Sequence, residues 1–470
     1  MFALVQPLEL AALSVQLARQ RLALRLELHG ALAESTLRAR SDLCEALLVV
    51  PEHLAESLEQ GERVVTALQR LNRGESLLRA RVERLLSKGR AATDVPAALR
   101  HVERAIALYE QLQPRSLAWA EACVDALAPL MRLERNRDAE RLGLAAVAVL
   151  REIDESDELA RALVELGEVQ SVLRQHDAAE ASLAEALALR ERRLGPAHGS
   201  TLFTLNKRAT ALRVLGRWRD AEAAAATGIE RCVAALGPGE THYQAMLRVE
   251  RGRCLVLLGR LRDADVELRA ALDCLRAWGA RNFGHAAVRM AQATAACCLG
   301  ELTQADAHLD DLESLLAELG FAPGSVNHDF ANLLRAEVAV RRGDPESAER
   351  ALGQVRPEED SVDGSMRTRS PRAAGLRAEI ALLRGEGPLA LREIERALQS
   401  IADSGAAASA PGVMAALHET HARALHACTR CAEAAAAAAR AVTLREAHEA
   451  EDSVPLQRAR ELHQRVAAPH

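Results

Sequence analysis

Aromatic side chains are nearly missing from this 470-residue chain: five Phe, three Trp and two Tyr make up 2% of it. Strands draw on aromatic and β-branched residues, so a sandwich or barrel core has little to be built from. Lysine is scarcer still. Only Lys88 and Lys207 stand among 60 basic residues, the arginine bias of a GC-rich, bacterial-like composition. The 60 basic and 66 acidic residues are interspersed and leave a net charge of −6, so no broad basic field is present to hold a phosphate backbone, which speaks against nucleic acid as a partner. No run approaches the ~18 uncharged apolar residues of a membrane span. The start, with Gln6, Pro7 and Glu9, lacks the basic and apolar regions of a signal peptide. Nine scattered cysteines, an odd number, do not make a disulfide framework and fit a reducing compartment. The expectation is a cytoplasmic protein without membrane contact. Catalytic patterns are missing too: there is no GxGxxG after a strand, no GxxxxGK followed by Ser or Thr, no HExxH and no GxSxG. That pattern of absences predicts a protein that is not an enzyme and takes no cofactor.

What the chain does contain is alanine, 95 residues of it, with leucine, arginine and glutamate. These are the strongest helix formers, and they predict an all-α fold. Self-similarity then organises the helices. Leu215-Gly216-Arg217-Trp218-Arg219-Asp220-Ala221-Glu222 recurs as Leu258-Gly259-Arg260-Leu261-Arg262-Asp263-Ala264-Asp265, and Leu194-Gly195-Pro196 as Leu236-Gly237-Pro238. In both directions the motif Ala falls at Ala139, Ala179, Ala221, Ala264, Ala305, Ala348, Ala390 and Ala434, a period of about 42 residues. Another small residue precedes the last seven of these at a fixed interval: Gly167, Ala209, Gly252, Ala293, Ala336, Ala378 and Ala422. A helix ending at the Gly turn and a second starting at the Asp, expected to accept free N–H groups there, make a helical hairpin. A lone hairpin cannot bury both faces, so the units must stack.

Small residues, then Gly-x-Trp, then Ala at these intervals resemble the tetratricopeptide repeat, and the ~42-residue period resembles its kinesin-light-chain type. The best segment carries Thr204-Leu205-Asn206, Ala209, Leu212, Gly216, Trp218, Asp220-Ala221-Glu222 and Leu236-Gly237-Pro238. It departs from the family pattern at Arg208, Arg251, Arg335 and Arg377, which replace apolar residues, and at Val355, which stands where Ala is usual. The resemblance implies a right-handed α-solenoid of stacked helix-turn-helix repeats, about eight of them over residues 119–450. Residues 1–118 read as a degenerate helical region, with Leu43 and Leu85 where small residues are missing, and residues 451–470 as a capping helix. Two polar segments, Arg356 to Arg372 and Ser404 to Gly412, bury too little apolar surface to offset the cost of ordering.

The resemblance also implies where function lies. First helices of such repeats line the inner groove, which here gives Phe203, Asn206, Thr210, Arg213, Met246, Val249, Arg253, Met290, Thr294 and Phe330 as groove candidates. Asn206 matches the family's Asn that hydrogen-bonds the backbone of an extended peptide, since an amide both donates and accepts. Arg213 and Arg253 lie on one wall about a repeat apart and suit a carboxylate. The column Arg208, Arg251, Arg335 and Arg377 suits either an acidic ligand or internal pairing with acids such as Glu222 and Asp265. His418, His421, Cys428 and Cys431 supply zinc-type ligands, but Cys428 and Cys431 also fall on repeat positions that hold seam residues elsewhere, and no second CxxC accompanies them. The expected function is a protein-binding scaffold or adaptor that takes a peptide or partner protein, an acidic one included, in its concave groove. The alternative is a regulatory or sensor module of a signalling system, associated with a kinase or transcription factor.

Overall fold

The computed structural model of the chain describes residues 2–153, 157–173, 175–237, 242–277, 282–321, 325–356, 369–403 and 411–468. Parts of both polar segments, residues 357–368 and 404–410, and Pro238 of the repeat motif lie outside the described residues. Among the described residues there are 22 α-helices and no strand, and no helix is long and apolar enough to cross a membrane. They form two compact units, Met1–Arg190 and Glu191–His470. The first holds α1 (Phe2–His29), α2 (Glu34–Leu48), α3 (Leu54–Arg70), α4 (Leu77–Arg90), α5 (Val95–Leu112), α6 (Leu117–Arg132), α7 (Asn136–Ile153), α8 (Asp157–Val172) and most of α9 (His176–Leu194). The second holds α10 (Gly199–Val214), α11 (Trp218–Leu236), α12 (His242–Leu257), α13 (Leu261–Ala277), α14 (Phe283–Leu299), α15 (Leu302–Glu318), α16 (Val326–Arg342) and α17 (Pro345–Leu352). It continues through α18 (Arg369–Leu383), α19 (Gly387–Asp403), α20 (Pro411–Ala427), α21 (Cys431–His448) and α22 (Val454–Ala467).

Local chemistry sets the helix ends. Ser76, Asp94 and Ser116 accept the N–H of Arg79, Ala97 and Trp119 and so cap α4, α5 and α6. The first helices α10, α12, α14, α16 and α18 end on glycines in the left-handed region, as at Gly216 (φ 78°), where the Arg217 N–H reaches back 2.9 Å to the Leu212 carbonyl. The motif Asp does not cap the second helix as the sequence led us to expect. Asp220 and Asp263 lie in the first turn of α11 and α13 and take the guanidinium of Arg217 and Arg260, each at 2.6 Å. Their charge still complements the positive end of the helix dipole.

The repeat Ala column is the seam. Ala139, Ala179, Ala221, Ala264, Ala305, Ala348, Ala390 and Ala434 are all 0% exposed. The preceding small residues set the approach of paired helices: a Cβ on Gly167 would sit 2.7 Å from Leu183 Cγ, and one on Gly252 2.6 Å from Leu268 Cδ2. In the first unit the same closeness is reached from elsewhere. Leu43 and Leu85 are buried, and it is Gly61 on α3 and Gly89 on α4 that leave room, for Leu86 and Leu58 respectively. Consecutive first helices, such as α10 with α12 and α12 with α14, pack on one another directly, whereas the second helices α11, α13 and α15 have little direct packing among themselves. The first helices are therefore the inner layer of a stacked-hairpin α-solenoid.

The concave face as candidate functional site

On α10 the side chains of Asn206, Thr210 and Arg213 follow i, i+4, i+7 spacing and share one stripe. Arg253 follows on α12, the next first helix. Arg213 Nε donates to one oxygen of Glu250, and Arg253 Nη1 donates to the other at 3.2 Å. The two arginines thus meet at one carboxylate, and it belongs to the protein itself. Glu250 is only 3% exposed. Burial would raise its pKa, but Arg213 and Arg253, helped by the Thr210 hydroxyl, more than offset that and hold it below the usual carboxylate range. Arg253 is pulled below its ordinary value by burial and by Arg213, against the pull of Glu250.

Asn206 is buried, and its Oδ1 has no hydrogen-bond partner among the described residues. A buried acceptor left unpaired costs about 1–3 kcal/mol. Not every predicted groove residue faces the groove. Val249 joins the apolar cluster of Ala245, Leu268 and Leu272, Met290 packs partly against the cluster around Leu309 and Leu312, and the Thr294 hydroxyl donates to the Met290 carbonyl at 2.9 Å. Phe203 lies under Lys207 Nζ at 5.2 Å from the ring centre, and Phe330 under the Arg372 guanidinium at 5.1 Å.

Further along the same layer, Glu337 on α16 repeats the arrangement. Arg341 stands 3.1 Å from one oxygen and Arg372 of α18 2.8 Å from the other. Burial opposes its ionisation, yet Arg372 and Arg341 prevail and hold it down to about 2. Sequence reading missed both acids. Glu250 stands three residues before Arg253, and Glu337 four before Arg341, so the helical spacing of the pairs was the available signal.

The arginine column pairs internally where its contacts are resolved. Arg251 reaches Glu222 at 2.8 Å and Glu267 at 3.1 Å, and Arg335 reaches Asp310 and Glu313. Glu222 is the acid expected for this role; Asp265 pairs instead with Arg269. His418 and His421 sit half-buried on α20, and burial, then Arg440 and His421, push the His418 imidazole down to about 4. Among the described residues no group of three or more His, Cys, Asp or Glu is placed to hold a metal ion, so the structure does not assemble His418, His421, Cys428 and Cys431 into one. All nine cysteines are free thiols. Cys297 is fully buried, while its neighbour Cys298 is half-buried.

Residues 158–232 match the family model described as the tetratricopeptide repeat. Among solved structures the chain is similar to a tetratricopeptide repeat protein from Parabacteroides merdae (17% identity over 66% of this chain and 99% of that one, TM-score 0.39). It is also similar to a Rap protein complexed with competence and sporulation factor (12% identity, 83% and 99% covered, TM-score 0.49). A third likeness is to the nearly identical TPR-like repeats of a Podosopora anserina protein classed with kinesin light chains (18% identity, 43% and 96% covered, TM-score 0.38). No curated protein matches the sequence.

Proposed function

We propose that the chain is a non-catalytic binding scaffold whose second unit accepts an extended, acidic peptide segment along its inner layer, at Asn206, Thr210, Arg213 and Arg253. The observation that carries this reading is the pairing of two guanidiniums with one carboxylate. Each arginine has five N–H donors, and Glu250 takes one from each. The cluster is one positive charge in excess and has donors to spare, in a partly desolvated setting where a ligand carboxylate gains more than it would in water. The buried, unpaired Asn206 Oδ1 lies on the same stripe and suits a backbone N–H of such a segment. Glu337 with Arg341 and Arg372 repeats the surplus two repeats on, as an extended ligand with acids at intervals would require.

The test is fluorescence anisotropy with two labelled pools of random-sequence peptides, one rich in Asp and Glu and one rich in Lys and Arg, at low and high salt. Preferential binding of the acidic pool, weakened by salt, is the expected result. Equal binding of both pools, or none, would overturn the reading.

A further inference from the structure

The second unit is joined to itself by its C-terminal residues. Ser453 caps α22, its Oγ accepting the Leu456 N–H at 3.2 Å, while its hydroxyl donates to Glu449, which also takes Arg445. Glu449 and Ser453 are 4% and 0% exposed, well buried for so polar a segment. This segment lies on the turns where the first helices of earlier repeats end. The Ala450 N–H donates to the Leu258 carbonyl at 2.9 Å. Arg219 Nη2 donates to the Glu449 carbonyl at 2.7 Å, across 230 positions of sequence. The ring of Trp218, the tryptophan of the repeat motif, stands 5.8 Å from that of His448. Helix α22 touches α14 as well.

The glycines of these turns record the contact. Gly259 (φ +74°), Gly343 (φ +76°) and Gly385 (φ +75°) share one backbone conformation. A Cβ on Gly343 or Gly385 would meet nothing within 4 Å; on Gly259 it would lie 2.1 Å from Ser453 Oγ. The seams between neighbouring helices are apolar clusters such as that of Ala305, Leu309, Leu312 and Leu316. The closing contact is instead made of hydrogen bonds, the Trp218–His448 ring pair and close approaches at Gly259 and, beside Trp218, at Gly412, and is expected to open before the apolar seams.

We infer that residues 449–458 form a strap that holds the second unit closed around its concave face, and that release of the strap admits the ligand; the gating half of this rests on the groove reading above. Two variants separate the strap from simple turn strain. Gly259→Val strains the left-handed turn and collides with Ser453; Gly343→Val carries the same strain with no strap to meet. Hydrogen exchange of the full chain should show the Ala450 amide exchanging at least tenfold faster in Gly259→Val and at the wild-type rate in Gly343→Val, with helicity by circular dichroism the same in both. Equal exchange at Ala450 in the two variants would overturn the strap.

Stopped-flow association of the acidic peptide pool then reads the gate, and the rate constant should rise several-fold in Gly259→Val alone. An unchanged association rate in a variant whose strap has opened would overturn the gating. Absence of binding in every protein, with the exchange difference intact, would overturn the groove reading and the gate with it while leaving the strap in place.

Discussion

Asp125 in the first unit and Glu250 in the second are both nearly buried carboxylates on first helices, yet their surroundings differ. Arg161, Lys88 and Arg84 stand 2.8, 3.2 and 3.5 Å from Asp125. Glu158 also binds Arg161, and Glu121 also binds Arg84. Three cations thus face three acids. Around Glu250 and around Glu337 two arginines face one acid among the described residues. A lattice of balanced charge ties α4, α6 and α8 together as framework. In the reading proposed above, the surplus cation of the other kind of lattice is what an acidic ligand would use. On that reading, the same repeat serves as framework or as a binding surface according to its charge balance.

Substitutions sharpen this comparison in order of effect. Asp125→Ala leaves three neighbouring cations without their central acid and should cost about 3 kcal/mol in urea unfolding, the low end of the range for breaking a buried pair because Lys88 and Arg161 keep some contact with water. Glu250→Ala leaves Arg213 and Arg253 without their shared acid and should cost a similar amount, about 3 kcal/mol, and should at the same time tighten binding of the acidic pool. If Glu250→Ala weakened that binding, the two regions would not differ as described.

Gly167→Leu and Gly252→Leu probe a feature the two units share. Each forces a side chain into a site where a Cβ alone would come within 2.7 Å of the facing leucine. Overpacking of this kind costs about 1–3 kcal/mol, and the two losses should be similar.

Much of this was legible in the sequence because the repeat is written in residues whose role is purely steric. Ala221 or Ala264 has no function but to be small where helices cross, so its period survives as a plain signal. Gly216 and Gly259 mark turns for an equally simple reason. The first unit is harder to read because closeness there is provided by Gly61 and Gly89, which moved off the expected column while Leu43 and Leu85 filled it. The acids of the inner face were missed for another reason. Glu250 and Glu337 look like ordinary surface glutamates in a chain where Asp and Glu number 66, and only the fold brings Arg213 or Arg372 from a neighbouring repeat onto them. The motif Asp misled similarly: its type fits a cap, but the arginine three residues earlier competes for it.

Two smaller effects follow. His418 holds its proton only below about 4 in the folded chain, while the unfolded chain takes it up at about 6.5. The unfolded state therefore binds more protons across that window, and stability falls as pH drops through it. His418→Leu should flatten this part of the stability curve, measured by urea unfolding from neutral pH to about pH 4; an unaltered slope would show that another group carries the acid sensitivity. Smallest of all, Arg251→Met removes partly exposed ion pairs to Glu222 and Glu267 but keeps the aliphatic stem, and should change stability by less than about 1 kcal/mol. A loss of peptide binding in this variant would assign the arginine column to the ligand after all.

The most direct test of the central claim is a selection of random dodecapeptides displayed on phage against the full chain, run in parallel on wild type and on the Asn206→Ala/Arg253→Ala double variant at matched helicity. The surplus-cation account predicts that wild type enriches peptides with acidic residues at recurring intervals and that the variant does not. Enrichment of the same peptides by both proteins, or of peptides without acids, would contradict it.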